Sequence, residues 1–172
     1  MIIDGVDYRI ADTKDDIEGA MHLVYNNYRN MDYCDQNRYE MYLYLFDLLP
    51  DTRTLVAVKD KAVIGTLSLV FDSGLGVPSD HLYRAELEKL RISNRRIAEI
   101  SKLAFDRTLP ASRIQSVMHL FRLSWILASN IRQSTDICVL TEPGHEAFYA
   151  KRLQMDRIGA FRSDESAGGA PS

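Results

Sequence analysis

Several things are scarce in this sequence, and each scarcity excludes something. Only two of its 172 residues are cysteine, and Cys34 and Cys138 lie far apart in no metal-ligand spacing. A disulfide-stapled scaffold is thereby disfavoured. With no signal peptide ahead of them, the thiols read as reduced, semi-buried residues of a cytoplasmic protein. No window approaches the roughly 18 uninterrupted apolar residues that a membrane span requires, so no integral membrane association is expected. An excess of one charge is missing too. The formal net charge of −3 gives no general attraction to nucleic acid or to an anionic bilayer. The four histidines, His22, His81, His119 and His145, are scattered, and no metal is expected. Neither internal repeats nor a linker divides the chain.

What is present suits one domain with a substantial core: 46% hydrophobic and 26% charged residues. Val6–Ala11 alternates like a strand. Thr13 and Asp16 stand at capping-box spacing, and Ile17, Ala20, Met21, Val24 and Tyr28 follow with helical period. A second helix is predicted from Arg38 to Leu49, turning Tyr42, Leu45, Leu48 and Leu49 inward and closed by Pro50. Residues 53–73 read as two strands joined at Lys59–Lys61, Asp72–Pro78 as a loop, and Ser79 as the cap of a helix carrying Leu82, Leu87 and Leu90. After the strand that Pro110 ends, Ser112 caps a long helix to Gln133 with Ile114, Val117, Met118, Phe121, Trp125 and Ala128 on one stripe. Asp136–Glu142 is a strand, and "EAFYAKRL" is a last short helix. The predicted domain covers residues 1–162. The tail 163–172, "SDESAGGAPS", has no packing residues and is expected to be disordered. This order predicts an α/β fold with one mixed, mostly antiparallel sheet flanked by helices, and a parallel crossover from Ile97 to Glu142.

The stretch "NRRIAEISKLAFDRTLP", Asn94 to Pro110, raises the functional question. Period two places Ile97, Glu99, Ser101, Leu103 and Phe105 on one face, and Ala98, Ile100, Lys102 and Ala104 on the other. A carboxylate and a hydroxyl then share a face that is otherwise apolar.

The order of elements resembles the GNAT acyltransferases. "VIGTLSLVFDSGLGVPSDHLYRAEL", "RRIAEISKLAF" and "HEAFYAKRLQMDRIG" together resemble the long-chain N-acyl amino acid synthases, a branch related to the acyl-homoserine-lactone synthases. The likeness runs from about Tyr25 to Gly159 and includes a Glu-x-Ser-basic motif at Glu99, Ser101 and Lys102. It implies transfer of a long acyl chain from the phosphopantetheine of an acyl carrier protein to the amine of an amino acid. The acyl thioester, on carrier protein or coenzyme A, is then a substrate, and no cofactor is needed.

That chemistry needs a neutral amine, a polarised carbonyl and a protonated leaving thiolate. Glu99 is the candidate base, its structural alternative being a strand glutamate paired to Arg95 or Arg96. Ser101 can bond the acceptor or orient Glu99, or be an ordinary strand serine; no His–Asp arrangement marks it as a nucleophile. Lys102 is either structural or takes the place of the arginine usual in the homoserine-lactone branch. The resemblance matches Tyr149 to the tyrosine that protonates the thiolate in many GNAT enzymes, with amphipathic packing as its alternative. Gln154 and Met155 stand where those enzymes commonly have Gly-Phe.

In acetyl-coenzyme-A users, a glycine-rich loop opens the long helix and holds the pyrophosphate. "DRTLPASRIQS" contains no glycine, which favours a carrier-protein donor with no such group. Arg95, Arg96, Arg107, Arg113 and Arg122 form a candidate docking patch for an acidic carrier protein, or simply a solvated face. Leu103, Ala104, Phe105 and Phe121 are candidates to line the acyl and pantetheine slot, with Val117 and Trp125 beyond; ordinary core is the alternative. Arg29 and Tyr33 are candidates to bind the acceptor. Two other functions compete: an acetyl-coenzyme-A-dependent GNAT acetyltransferase, and a catalytically silent GNAT-like domain that binds acyl groups or carrier protein.

Overall fold

The alternating segments assemble into one sheet of six strands in sequential order: β1 (Ile2–Ile3), β2 (Val6–Ile10), β3 (Arg53–Lys59), β4 (Ala62–Phe71), β5 (Ile97–Phe105) and β6 (Asp136–Val139). The computed structural model describes residues 1–108 and 113–164, with the backbone alone at 113, and the backbone of 170–171. Pro110, Ser112 and the side chain of Arg113 therefore lie outside the described residues. All neighbouring strands are antiparallel except β5 and β6, which run parallel. Among the described residues four helices cover the sheet: α1 (Lys14–Arg29), α2 (Asp80–Ile92), α3 (Arg113–Ile131) and α4 (Glu146–Leu153).

One sheet face carries Leu55, Ala57, Leu67, Leu69, Phe71, Ala98 and Ile100. It packs against Val117, Leu120, Phe121 and Ala128 of α3 to form the main core. Ile114 and Trp125, expected on that stripe, are 61% and 58% exposed, because the buried row of α3 runs instead through Ser124. The other face carries Val56, Thr66, Ser68, Val70, Glu99 and Ser101, paired across the strands as Val56–Thr66, Ser68–Ser101 and Val70–Glu99. A smaller core of Val77, Tyr83, Leu87 and Ile97 seals α2 to the sheet.

The hydroxyl of Thr13 caps α1 by accepting the Asp16 N–H at 3.2 Å. The Asp16 carboxylate does not complete a capping box; it binds Arg9 of β2 instead. The helix expected over Arg38–Leu49 is not formed. Only a 3-10 turn, Leu45–Leu48, interrupts that segment, and Leu45 and Leu48 are 58% and 68% exposed. Helical period is not enough there: Glu40 takes a φ of +53°, and its carbonyl is bound to His22. The tail differs from expectation as well. Ser163–Asp164 (β7) pairs with Ala170–Pro171 (β8), and Asp164 is buried.

A bulge corrects the face assignment of β5. Thr66 lies opposite Ala104 and Ser68 opposite Ser101, so Leu67 alone faces both Lys102 and Leu103. Lys102 absorbs the extra residue with a φ of +53°. One inserted residue shifts the alternation that follows it. Lys102 and Ala104 thereby join the face of Glu99 and Ser101, while Leu103 and Phe105 turn into the α3 core. The whole Glu-x-Ser-Lys motif ends up on one side of the sheet.

The ring of Phe105 then lies flat on Gly65 of β4, where any Cβ would enter it. Gly65→Ala is expected to cost about 1–3 kcal/mol through overpacking, lowering the unfolding midpoint by about 3–10 °C in a thermal melt. Pairing of β5 with β6 runs from Ile97–Asp136 to Ile100–Val139 and stops, while β5 continues to Phe105. A cleft opens along this edge.

Candidate active site

Glu99 is 1% exposed. Its Oε2 accepts the backbone N–H of Ser79 at 2.8 Å and the Ser79 hydroxyl at 2.6 Å. The Ser79 hydroxyl therefore does not cap α2, as the sequence suggested. Asp80 does related work by accepting the Val77 N–H at 2.7 Å. Burial pushes the Glu99 carboxyl up to about 7; the two Ser79 bonds oppose it, the Asp80 charge adds to it, and the positive charge of His81 opposes it. A carboxyl held near 7 can take a proton in neutral solution and give it up again. Pairing with Arg95 or Arg96 is ruled out. Arg95 grips Asp136 through two bonds of 2.6 and 2.7 Å, and Arg96 donates to the Gln133 carbonyl at 2.6 Å.

Groups from neighbouring segments stand around Glu99. Cys138 on β6 has its sulfur 4.0 Å from Oε2, and burial with the neighbouring Glu99 charge raises its thiol well above the ordinary range. It is therefore held as a thiol. Tyr44, ahead of the 3-10 turn, feels the charges of both Glu99 and Asp164 after the larger effect of burial, which together raise its hydroxyl. Lys102 forms a buried ion pair with Asp47, their side chains 9% and 7% exposed. Burial lowers the lysine, and Asp47 opposes it. Ser101 Oγ is buried without a hydrogen-bond partner among the described residues, and so is its cross-strand neighbour Ser68 Oγ. Two unsatisfied hydroxyls in a polar neighbourhood can receive a polar ligand group.

A cleft of about 810 Å³ follows the open edge beside β6 and α4. Ser79 and Cys138, both touching Glu99, border it, as does Tyr149 of α4. Its apolar lining includes Leu90, Ile100, Met118, Phe121 and Trp125. Tyr149 is 9% exposed and packs its ring on Phe121 and Phe148 at 6.0 and 5.3 Å. Burial raises its hydroxyl, opposed by a bond with Thr141, so it stays protonated at neutral pH. Gln154 occupies the place where a glycine is common. It adopts the left-handed conformation that a glycine would, φ +54°, and its N–H bonds the Tyr149 carbonyl.

Of the proposed slot residues Phe121 and Trp125 border the cleft, and Val117 packs in the core. Leu103 and Phe105 sit in the core, and Ala104 faces Thr66. The acceptor candidates are engaged elsewhere. Arg29 donates to the Cys34 carbonyl at 2.8 Å, and the Tyr33 hydroxyl donates to Glu142. Arg107 holds the Asn27 side chain at 3.4 Å. Arg122 and Arg152, by contrast, border the cleft and make no ion pair among the described residues. Sequence reasoning missed Asp47, His81, Cys138, Asp164 and Arg152 as site residues, because each is brought in by packing and none by spacing.

Solved structures share this architecture. FeeM, an N-acyl amino acid synthase from uncultured soil microbes, superposes with a TM-score of 0.82 at 24% identity, over 96% of this chain and 86% of that one. An acyl-CoA N-acyltransferase from Pseudomonas aeruginosa gives 0.67 at 13% identity, over 96% and 95% of the two chains. The acyl-homoserine-lactone synthase LasI gives 0.65 at 15%, over 91% and 83%. These likenesses establish the GNAT-type fold. No curated protein matches the sequence. The sequence profile of the N-acyl amino acid synthase FeeM matches residues 19–172, taking in Glu99, its buried partners and the cleft. The match over most of its length shows that this chain is an N-acyltransferase and belongs to the FeeM family of N-acyl amino acid synthases.

Proposed function

We propose that the protein moves a long acyl chain from an acyl carrier protein thioester to the amine of an amino acid, with Glu99 as the base. The observation that carries this reading is Glu99 itself: a carboxyl buried against Ser79, near neutrality, behind an apolar cleft. The acyl chain lies against Phe121, Met118 and Trp125, with its thioester carbonyl toward Ser79 and Cys138. The incoming ammonium gives one proton to the Glu99 carboxylate, directly or through water, and the freed amine attacks the carbonyl carbon. A C–N bond forms, the C–S bond breaks, and Tyr149 passes a proton to the departing thiolate. Glu99 passes the amine's first proton to solvent and, again a carboxylate, takes the second as the tetrahedral adduct collapses; it then sheds that proton too, and Tyr149 is reprotonated from solvent. The unpartnered hydroxyl of Ser101 offers a bond to the acceptor, with Lys102 beside it as the motif's cation.

Tyr149→Phe keeps the ring packing and removes the acid. A fall in kcat of about tenfold to a hundredfold is expected, with KM for the donor little changed. Steady-state kinetics check it.

The donor is tested by competition. Palmitoyl-acyl carrier protein and palmitoyl-coenzyme A are offered at equal concentration with an amino acid mixture. The carrier-protein thioester should be preferred, and reversing charge at Arg122 and Arg152 should raise its KM without lowering kcat. Preference for coenzyme A would favour the ordinary acetyltransferase reading. Carrier-protein binding without turnover would favour the silent domain.

A further inference from the structure

The C-terminal strap, residues 159–164, crosses the start of α2 and is fastened at each step. Gly159 lies flat on the Tyr83 ring, where a Cβ would enter it. The Tyr83 hydroxyl donates to the Ala160 carbonyl at 2.9 Å. Arg162 lays its guanidinium 4.5 Å over the same ring and binds Glu86 and the Leu82 carbonyl. The strap ends by delivering Asp164, its side chain 6% exposed, to His81 Nε2 at 3.1 Å.

His81 Nδ1 faces the Pro78 carbonyl at 2.7 Å. Both ring nitrogens thus face oxygens that can only accept, an arrangement that satisfies the doubly protonated ring and no neutral tautomer. His81 stands two residues from Ser79, the residue that holds Glu99, and its positive charge acts on that carboxyl.

From this geometry we infer that Asp164 and His81 are positioning residues of the active site: the strap holds His81 as an imidazolium, and the imidazolium keeps Glu99 available as a carboxylate. The other charged and titratable groups around them are accounted for. Asp80 on α2, whose charge raises the Glu99 carboxyl against His81, is held by Arg91 at 2.6 and 2.8 Å with or without Asp164. Asp47 is tied to Lys102. Tyr42 and Tyr44, from the segment before the 3-10 turn, have hydroxyls raised by burial first and then by Asp164 among other negative groups. Cys138 on β6 is held as a thiol. His81 is the α2 side chain whose positive charge acts on Glu99. Removing Asp164 has two opposite consequences for Glu99: loss of a negative charge and loss of the imidazolium. We take the loss of the imidazolium to prevail, since the His81 charge acts on the Glu99 carboxyl and lowers it.

The functional half of this inference rests on Glu99 being the base. Its test has a readout that does not. In the full chain, the His81 imidazole is titrated by NMR, assigned with His81→Gln, in the wild type and in Asp164→Asn. The titration midpoint should fall in the variant. The acid limb of kcat/KM should then move to higher pH, with a loss of about three- to tenfold at pH 6.5 and under twofold at pH 9. Asp164→Asn should add nothing in the His81→Gln background. An unchanged His81 titration, or a rate lowered by the same factor at every pH, would overturn the inference. A fully active Glu99→Gln enzyme would instead remove the base and leave the titration result standing.

Discussion

Glu99→Gln is expected to slow amide formation by about 10²–10⁴-fold while leaving the protein folded. Glutamine is nearly isosteric, and its carbonyl oxygen can still accept both Ser79 bonds. What it cannot do is take a proton from the amine. The same substitution should reveal what the site costs in stability. In the folded chain the carboxyl is raised from 4.5 to about 7, so the native state holds that proton more tightly than the unfolded chain does. The stability linked to this proton is fully present below pH 4.5 and is lost as pH rises through about 7. Above that, the wild type carries a buried negative charge and the variant does not. Glu99→Gln should therefore be more stable than the wild type at pH 8 by about 1–3 kcal/mol, with the advantage gone at pH 4. Thermal melts across that range check it. A variant active to within tenfold of wild type, or one no more stable at pH 8, would count against Glu99 as a buried base.

Asp47→Ala should be the most damaging single change to the fold. It leaves the Lys102 ammonium, 9% exposed, without its partner on the inner face of the sheet. Breaking a buried pair on one side costs about 3–5 kcal/mol, against under about 1 kcal/mol for an exposed pair. In a chain of this size the midpoint should fall by about 6–20 °C. Asp47→Leu combined with Lys102→Met removes both charges and should recover most of that loss. If the double variant were no better than Asp47→Ala, packing of the Asp47 side chain would be responsible and not the stranded charge.

Much of the fold is legible because its strands and helices keep their periods. The capped helix at Lys14–Arg29, the β3–β4 hairpin and the β5–α3–β6 crossover all follow from runs of apolar residues at regular spacing. Two features are not legible for physical reasons. Arg38–Leu49 has helical spacing, yet Leu43, Leu45 and Leu48 stay exposed. Two of its backbone groups bond to α1, the Tyr42 N–H to the Met21 carbonyl at 3.2 Å and the Glu40 carbonyl to His22. The β5 bulge depends on the partner strand, where Leu67 opposes two residues, and period-two reading of β5 alone has no access to it.

The candidate site divides the same way. Glu99 stands out in the sequence as a carboxylate on an apolar strand face, and Phe121 and Tyr149 are reached through their elements. Ser79 reads as a helix cap until the fold brings Glu99, twenty positions later, onto its hydroxyl. His81 and Asp164 are paired across 83 positions by a tail whose composition suggests disorder. Composition records what a segment can bury by itself, and Asp164 is buried by a strap fastened through Gly159, Tyr83 and Arg162.

The most direct measurement is product identity. The purified protein and its Glu99→Gln variant are incubated with palmitoyl-acyl carrier protein and the common amino acids, and mass spectrometry searches for N-palmitoyl amino acids. The expected result is one or a few such products from the wild type, lost in the variant. Absence of any N-acyl amino acid from the wild type, or its formation by Glu99→Gln at the wild-type rate, would contradict the account.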